Sequence, residues 1–171
     1  AKALENVEDV EALRDQLKET KRYAVDHIEE IADRFEIEAV KRGTKVFRAA
    51  TGKELISYLI NLCKERAVRR IVKSKSMASE EIHLNDALEK AGIRVKETDL
   101  GEWIISIAGH KPSHMVMPAI HLNRYQVADY FSKELDKSID PDIAFMVQTS
   151  RTTLRDEFLK ADMGISGANF G

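Results

Sequence analysis

The stretch RIVKSKSMASEEIHLNDALEKAGIRVK, residues 70–96, decides the fold of this chain. Short runs rich in β-branched residues stand at its two ends, at 70–73 and 93–96, and such runs are typical of buried strands. Between them a polar loop leads into a helical pattern over about 80–90, which Gly92 ends. Two strands joined by a helix must be parallel, because no tight hairpin connects them. The stretch therefore predicts one strand–helix–strand unit.

The same alternation continues on both sides of this unit. Further strands are predicted at 45–50, 113–116 and 163–166. Helices are predicted after Thr51, which stands in capping-box spacing with Glu54, and over 100–107, 123–135 and 142–161. The helix at 123–135 is expected to bury Tyr125 and Phe131 and to be capped by Asn123 and Gln126. The fold class is therefore α/β, with a parallel sheet flanked by helices and right-handed crossovers.

Two helices precede the α/β pattern. Apolar side chains at three-and-four spacing predict an amphipathic helix over 3–17, and a second helix over 21–41 stops at Gly43. We assign residues 1–20 to an N-terminal arm and 21–171 to the α/β domain. The sequence ends at Gly171, where a sheet of this type normally continues, so we expect a truncated part of a longer domain.

Composition sets the broad class of the protein. Of 171 residues, 43% are hydrophobic and 33% are charged, the balance of a globular domain. The 27 basic and 29 acidic side chains alternate along the chain, which argues against nucleic-acid binding. Apolar runs are too short for a membrane span, and the acidic start is no signal peptide, so we expect a cytoplasmic protein.

The single cysteine, Cys63, limits the redox chemistry of this chain. One thiol cannot form an internal disulfide or hold an iron–sulfur cluster with four thiolate ligands. Cys63 also falls on the apolar stripe of its helix, so we expect it to be buried and inert. A metal site using His114 and His121 is disfavoured, because their spacing does not place them on one helical face.

Ligands of open parallel sheets bind beyond the carboxyl ends of the strands, so the loops there hold the candidate residues. After the strand at 70–73, two lysines and a helix N-terminus suit a phosphate or carboxylate, with Lys73, Lys75, Ser76 and Ser79 as candidates. The alternative is that Ser79 only caps the helix and that the lysines are solvated.

Three other loops offer polar groups at the same edge. Glu97 and Asp99 follow a strand and suit a general base or a partner for a substrate hydroxyl, although Asp99 is also a natural helix cap. The glycine-rich segment 164–171 adds Ser166 and Asn169 as hydrogen-bonding groups, or else forms a tight turn. His114 lies in a third loop, which comes between these two segments in the sequence.

Several spaced motifs carry a family resemblance. They are VKSKSM at 72–77, EEI at 80–82, ETDLGE at 97–102, PSH at 112–114, PAIH at 118–121 and GISGANF at 164–170. In this order they resemble the LUD domain of the lactate utilisation protein B family, from about residue 20 to the end. The resemblance implies a fold similar to the NagB/RpiA/CoA-transferase group.

The resemblance also implies a function. Members of the family oxidise L-lactate to pyruvate in bacteria together with two partner subunits, and electrons pass through 4Fe-4S clusters in a C-terminal segment. Those cluster cysteines are absent here, so the clusters are expected outside this chain, and this part is expected to bind substrate or a partner. By resemblance, a small anionic ligand is assigned to Lys73, Lys75, Ser76, Ser79 and Asn169, with Glu97, Asp99 and His114 as catalytic candidates.

Two alternatives remain open from the residues. The first is a transferase or isomerase of the same fold group that binds a CoA ester or a sugar phosphate, with Glu97 or Glu102 as nucleophile. The second is an interaction module that docks through the amphipathic segment 4–17 and binds no small ligand.

Overall fold

The computed structural model describes residues 8–114 and 116–168. Its elements follow the order α1 Val10–Asp26, α2 Ile28–Lys41, α3 Gly52–Glu65, β1 Arg70–Lys73, α4 Met77–Glu81, α5 Leu84–Lys90, β2 Arg94–Glu97, α6 Leu100–Ala108, α7 Arg124–Leu135, α8 Ile143–Lys160 and β3 Met163–Ile165. The chain divides into two compact units, one up to Arg48 and one from Ala49 onward. Among the described helices, none has the length and apolar character needed to cross a bilayer.

The first unit consists of two helices that meet at His27. Asp9 caps α1 by accepting a hydrogen bond from the backbone N–H of Ala12 at 2.9 Å. The predicted break near residues 18–20 is wrong, because α1 continues without interruption to Asp26. Lys18 and Glu19 are good helix formers, and the helix ends only where His27 leaves helical geometry.

The predicted strand at 45–50 is also wrong, since these residues form no regular element. Residues 45–48 belong to the first unit, and the ion pairs of Arg48 account for their conformation. Its guanidinium lies 2.7 Å from Asp33 and 2.8 Å from Glu36, both on α2. The β-type pattern therefore marks a segment held by side-chain ion pairs rather than by a strand ladder.

The second unit contains a three-stranded parallel sheet in the order β2-β1-β3. Ile71 of the central strand pairs with Val95 on one side and Met163 on the other. Asp162 strengthens the second junction, because its carboxylate accepts the backbone N–H groups of Arg69 and Arg70, each at 2.9 Å. A parallel sheet flanked by helices is confirmed.

The predicted strand at 113–116 is wrong for the residues that the structure describes there, which form bends. The His114 Nδ1 atom accepts the backbone N–H groups of Val116 and Met117, at 3.1 and 3.0 Å. The backbone N–H of Ser113 donates to the Pro118 carbonyl at 3.1 Å. These groups close a local turn, so they are not available for a strand ladder.

The single helix predicted over 80–90 is two helices. His83 adopts the left-handed conformation with φ of 52° and separates α4 from α5. Ser76, not Ser79, caps α4 by accepting the Ser79 backbone N–H at 3.3 Å. Elsewhere the predicted caps are confirmed: Thr51 caps α3, and a complete capping box at Asn123 and Gln126 opens α7.

Two hydrophobic clusters hold the second unit together. One surrounds Trp103, whose ring lies 4.9 Å from that of Phe131. The other contains Ile71 and Cys63, and burial raises the pKa of the Cys63 thiol, so the expectation of a buried cysteine is confirmed. The expected burial of Tyr125 is wrong: it is 57% exposed and lies under the guanidinium of Arg124.

Candidate functional site

The loops that follow the three strands begin at one edge of the sheet. Lys73, at the end of β1, pairs with Glu97 of β2 and with Ile165 of β3. The Ser74 hydroxyl donates to the Ser166 hydroxyl at 3.2 Å, which joins the loops after β1 and β3. The predicted convergence therefore holds for the loops after β1, β2 and β3, whereas the loop that contains His114 follows a helix. This carboxyl edge is the candidate site.

Lys73 is the buried centre of a polar cluster, here called the lysine cluster: Lys73, Ser79, Glu80, Asn85 and Glu97. The Lys73 side chain is 0% exposed, and its Nζ atom lies 2.8 Å from Glu80, 2.9 Å from Glu97 and 3.1 Å from the Ser79 hydroxyl. The Ser79 hydroxyl in turn donates to the Ser76 carbonyl at 2.8 Å. Four of the predicted site residues, Lys73, Ser76, Ser79 and Glu97, are thus joined to one another.

Burial and charge act against each other in this cluster. Burial lowers the pKa of Lys73, but its hydrogen bonds and charge interactions with Glu80 and Glu97 outweigh that effect and raise it. For Glu97, burial raises the pKa of the carboxyl, and Lys73 and Asn85 oppose the rise only in part. The ammonium ion therefore belongs to the folded state at neutral pH.

One side of Glu97 is left without a partner. Its Oε1 atom accepts from Lys73 and from the Asn85 amide, the latter at 2.6 Å. Its Oε2 atom and the Asn85 Oδ1 atom are buried and have no hydrogen-bond partner among the described residues. A buried acceptor of this kind suits a donor on a bound molecule or a proton on the carboxyl itself.

Lys75 takes part in a separate ion pair. Its Nζ atom lies 3.1 Å from Glu102, whose side chain is 8% exposed. A cavity of about 310 Å³ lies beside this pair, lined by Lys75, Met77, Glu80, Glu81, Glu102 and Pro112. Three carboxylates and one ammonium line it, so its field favours a hydrogen-bond donor or a cation over a small anion.

The other predicted site residues are a helix cap, a residue in a local turn and one that lies outside the described residues. Asp99 caps α6, because its carboxylate accepts the backbone N–H groups of Gly101 and Glu102. His114 closes the turn before Pro118. In the part of the chain that the structure describes, no hydrogen bond joins the side chains of Glu97, Asp99 and His114, and Asn169 lies outside that part.

A second concave surface at the same edge was not predicted. It is a groove of about 670 Å³ between the end of β2 and one face of α8, here called the arginine groove. Its lining residues are Thr98, Gln148, Arg151, Thr152, Leu154, Arg155, Phe158 and Leu159. The Thr98 hydroxyl donates to the Lys73 carbonyl at 3.0 Å, so the groove adjoins the lysine cluster.

Arg151 and Arg155 give the groove its chemistry. They are four residues apart on α8 and therefore lie on the same face of the helix. Both are exposed, and within residues 8–114 and 116–168 neither side chain makes an ion pair or a hydrogen bond. Guanidinium groups bind carboxylates and phosphates with two parallel hydrogen bonds. The i, i+4 spacing of these arginines was the sequence signal for this surface.

Comparison with known proteins gives the family. The LUD domain model matches residues 32–171. Curated relatives named lactate utilization protein B are 38% identical over 169 residues in Bacillus velezensis and 39% identical over 169 residues in Bacillus subtilis, in each case covering 98% of this chain. One from Geobacillus thermodenitrificans is 46% identical over 131 residues, or 76% of this chain.

The chain covers 36%, 35% and 28% of those three relatives, so it spans about a third of their length. No solved structure matches it. The family match covers the whole of the second unit, which starts at Ala49, and so includes the carboxyl edge, the lysine cluster and the arginine groove. The chain belongs to the LUD domain family.

Proposed function

We propose that this chain acts in lactate utilisation and that its arginine groove binds the carboxylate of a small anionic ligand, either lactate or pyruvate. Family membership and the names of its relatives support the role in lactate utilisation. The observation that carries the ligand assignment is the pair Arg151 and Arg155, two guanidinium groups beside Thr98 at the carboxyl edge of the sheet.

The charges around Lys73, around Lys75 and in the arginine groove favour this assignment. A carboxylate that approached Lys73 would have to displace Glu80 or Glu97 from a fully buried ammonium group. At Lys75 it would compete with Glu102 and face Glu80 and Glu81. In the arginine groove, neither Arg151 nor Arg155 has a carboxylate partner among the described residues that a ligand would have to displace. Anion binding by Lys73, Lys75, Ser76 and Ser79, as predicted from the sequence, is therefore the alternative to anion binding in the arginine groove.

Within this proposal the chain positions a ligand and leaves electron transfer to other parts of a larger assembly. A 4Fe-4S cluster needs thiolate ligands, and Cys63, the single cysteine, is 1% exposed in an apolar cluster. The residues of this chain therefore do not fit such a cluster. Partner subunits of a lactate-oxidising complex and a cytoplasmic site of action stay predictions.

Ligand titration tests the assignment. Exposed charge pairs contribute only about 0.2–1 kcal/mol each, so binding by two arginines is weak and requires millimolar ligand. We expect L-lactate or pyruvate to raise the melting temperature of the chain, because a ligand that binds only the folded state stabilises it. The double variant Arg151→Gln/Arg155→Gln should lose this shift.

Two further variants serve as controls. Arg34→Gln/Arg66→Gln removes the same charge from exposed positions outside the groove and should keep the shift. Lys75→Ala should keep it as well. If Lys75→Ala abolishes the shift while Arg151→Gln/Arg155→Gln retains it, the ligand binds beside Lys75, and the groove assignment is wrong.

The size of the groove favours one alternative. At about 670 Å³, with Phe158 and Leu159 exposed along it, it can hold a molecule much larger than lactate. A CoA ester or a sugar phosphate would place its phosphate on the same arginines. A shift with CoA or a sugar phosphate and none with lactate or pyruvate would select that function, and no shift with any of them would select an interaction module.

A further inference from the structure

Two histidine rings face each other between α6 and α7. His110 follows α6, and His121 precedes α7. The His110 Nδ1 atom lies 3.2 Å from the His121 Nε2 atom, and the ring centroids are 5.4 Å apart. Both side chains are exposed. The pair belongs to neither the lysine cluster nor the arginine groove.

The outer nitrogen of His121 has a fixed partner. Its Nδ1 atom lies 2.7 Å from the Ser113 hydroxyl, which donates its only proton to the Pro118 carbonyl at 3.1 Å. With that proton on the Pro118 side, Ser113 Oγ accepts a hydrogen bond from His121 Nδ1–H. This tautomer leaves a lone pair on His121 Nε2, the atom that faces His110.

The outer nitrogen of His110 also has a partner, because its Nε2 atom lies 3.4 Å from the Tyr130 hydroxyl. In one tautomer, His110 Nδ1–H donates to His121 Nε2, and Tyr130 donates to His110 Nε2. In the other, His110 Nε2–H donates to Tyr130. Two lone pairs then face each other across 3.2 Å, an arrangement that is stable only with a cation between them.

We propose that His110 Nδ1 and His121 Nε2 bind a divalent transition-metal ion such as Zn²⁺. Metal–imidazole bonds of about 2.0–2.1 Å to two nitrogens that are 3.2 Å apart enclose an angle of about 100°, close to tetrahedral. Metal-binding histidines donate their other N–H group to a neighbouring oxygen, the role that Ser113 and Tyr130 fill here.

The surroundings define the class of metal. Within residues 8–114 and 116–168, no group of three or more His, Cys, Asp or Glu side chains forms a metal site, so solvent completes the coordination. Lys133 lies 5.9 Å from the centre of the Tyr130 ring, and Lys111 follows His110, so the local charge weakens binding of any cation. Imidazole ligands without carboxylates select Zn²⁺, Ni²⁺ or Cu²⁺ over Mg²⁺ and Ca²⁺.

Calorimetric titration of the full 171-residue chain with ZnCl₂ and, separately, MgCl₂ tests the proposal. We expect one Zn²⁺ ion per chain and no heat from Mg²⁺. His110→Gln and His121→Gln should each weaken Zn²⁺ binding at least tenfold. Ser113→Ala should weaken it about tenfold, the lower limit for loss of a residue that orients a metal ligand.

The matched control is His83→Asn, which removes an exposed histidine at a left-handed position that asparagine tolerates. It should leave Zn²⁺ affinity unchanged. Equal affinity in all the variants, or no Zn²⁺ binding by the parent chain, overturns the site.

Imidazole ¹H–¹⁵N spectra of the unmutated chain give a second readout that does not depend on the folding of a variant. Zn²⁺ should shift the His110 Nδ1 and His121 Nε2 resonances and leave those of His27 and His83 in place. Shifts confined to other histidines would contradict the proposal.

Discussion

The Nζ atom of Lys73 lies 2.9 Å from Oε1 of Glu97, and the two side chains are 0% and 7% exposed. They stand opposite each other in the β1–β2 register, so the backbone pairing sets their separation. A buried ion pair of this kind adds little net stability compared with an apolar pair of the same shape, but loss of one partner is costly.

Lys73→Met should lower the free energy of unfolding by up to about 3–5 kcal/mol, because it removes the cation beside buried Glu97, whose carboxyl is then either charged and unpaired or must bind a proton. Glu80 contributes less to this cost, since it is 46% exposed and can be solvated. Urea unfolding followed by circular dichroism measures the change. Lys73→Met/Glu97→Gln should recover part of the loss, because the glutamine amide is neutral and its oxygen still accepts from Asn85. A double variant as unstable as the single one would show that the charge of Glu97 is not the cause.

Asp162 makes stability depend on pH in the acid range. Its two backbone hydrogen bonds, from Arg69 and Arg70, lower the pKa of the carboxyl below its ordinary value of 3.8. A carboxyl with a lowered pKa stabilises the fold above the unfolded value, and this stability is lost as the pH falls through the folded value. Asp162→Asn should therefore be less stable than the parent at about pH 6, well above both pKa values.

The difference between the parent and Asp162→Asn should shrink as the pH falls below 3.8. Urea midpoints of both proteins between about pH 2 and pH 6 measure it. The comparison isolates Asp162 from Glu97, whose raised pKa contributes with the opposite sign in both proteins. A difference that is independent of pH would mean that Asp162 acts through its shape and not its charge.

Gly167 lies against the loop after β1 with no room for a side chain. A Cβ atom there would clash with the Ser76 hydroxyl and lie 2.5 Å from Ser76 Cβ. Gly167→Ala should destabilise the chain by about 1–3 kcal/mol, as overpacking usually does. Ser76→Gly alone costs only a few tenths of a kcal/mol, because glycine is an acceptable N-cap. The double variant should be more stable than Gly167→Ala, and thermal unfolding of all three measures the coupling.

Asn123 should matter to α7 as a cap. It accepts the backbone N–H groups of Tyr125 and Gln126, and the Gln126 side chain accepts the Asn123 N–H in return. Asn123→Ala should cost about 1 kcal/mol, whereas Asn123→Asp or Asn123→Ser should cost much less. Chemical denaturation distinguishes them, and an equal loss in all three variants would argue against the capping role.

Local signals in the sequence were sufficient for much of this fold. Apolar periodicity and capping residues predicted α3, α6, α7 and α8, the short β-branched runs predicted β1 and β2, and the strand predicted at 163–166 corresponds to β3. The two wrong strand predictions, at 45–50 and 113–116, have the same physical origin. In both places polar side chains bind nearby groups, Arg48 to α2 and His114 to its own turn, and periodicity does not register such bonds.

The structure shows where the predicted site residues lie, and their roles stay predictions. Parallel pairing placed Lys73 beside Glu97, as the carboxyl-end rule requires. The burial of Lys73 was not foreseeable, because it depends on α4 folding back so that Ser79 and Glu80 reach its ammonium group. The sequence does not place Arg151 and Arg155 at this edge, because their surface forms only when α8 lies near the end of β2.

The junction between β1 and β3 has a consequence for synthesis of the protein. Arg70 and Asp162 are joined by a hydrogen bond although 92 positions separate them. On the ribosome, β1 emerges long before β3, its second neighbour in the sheet. One edge of β1 therefore stays exposed while the intervening helices are made. Such an edge is a template for pairing with other chains. The nascent chain is therefore most prone to aggregate before residues 163–165 have emerged, and chaperone binding in that interval would protect it.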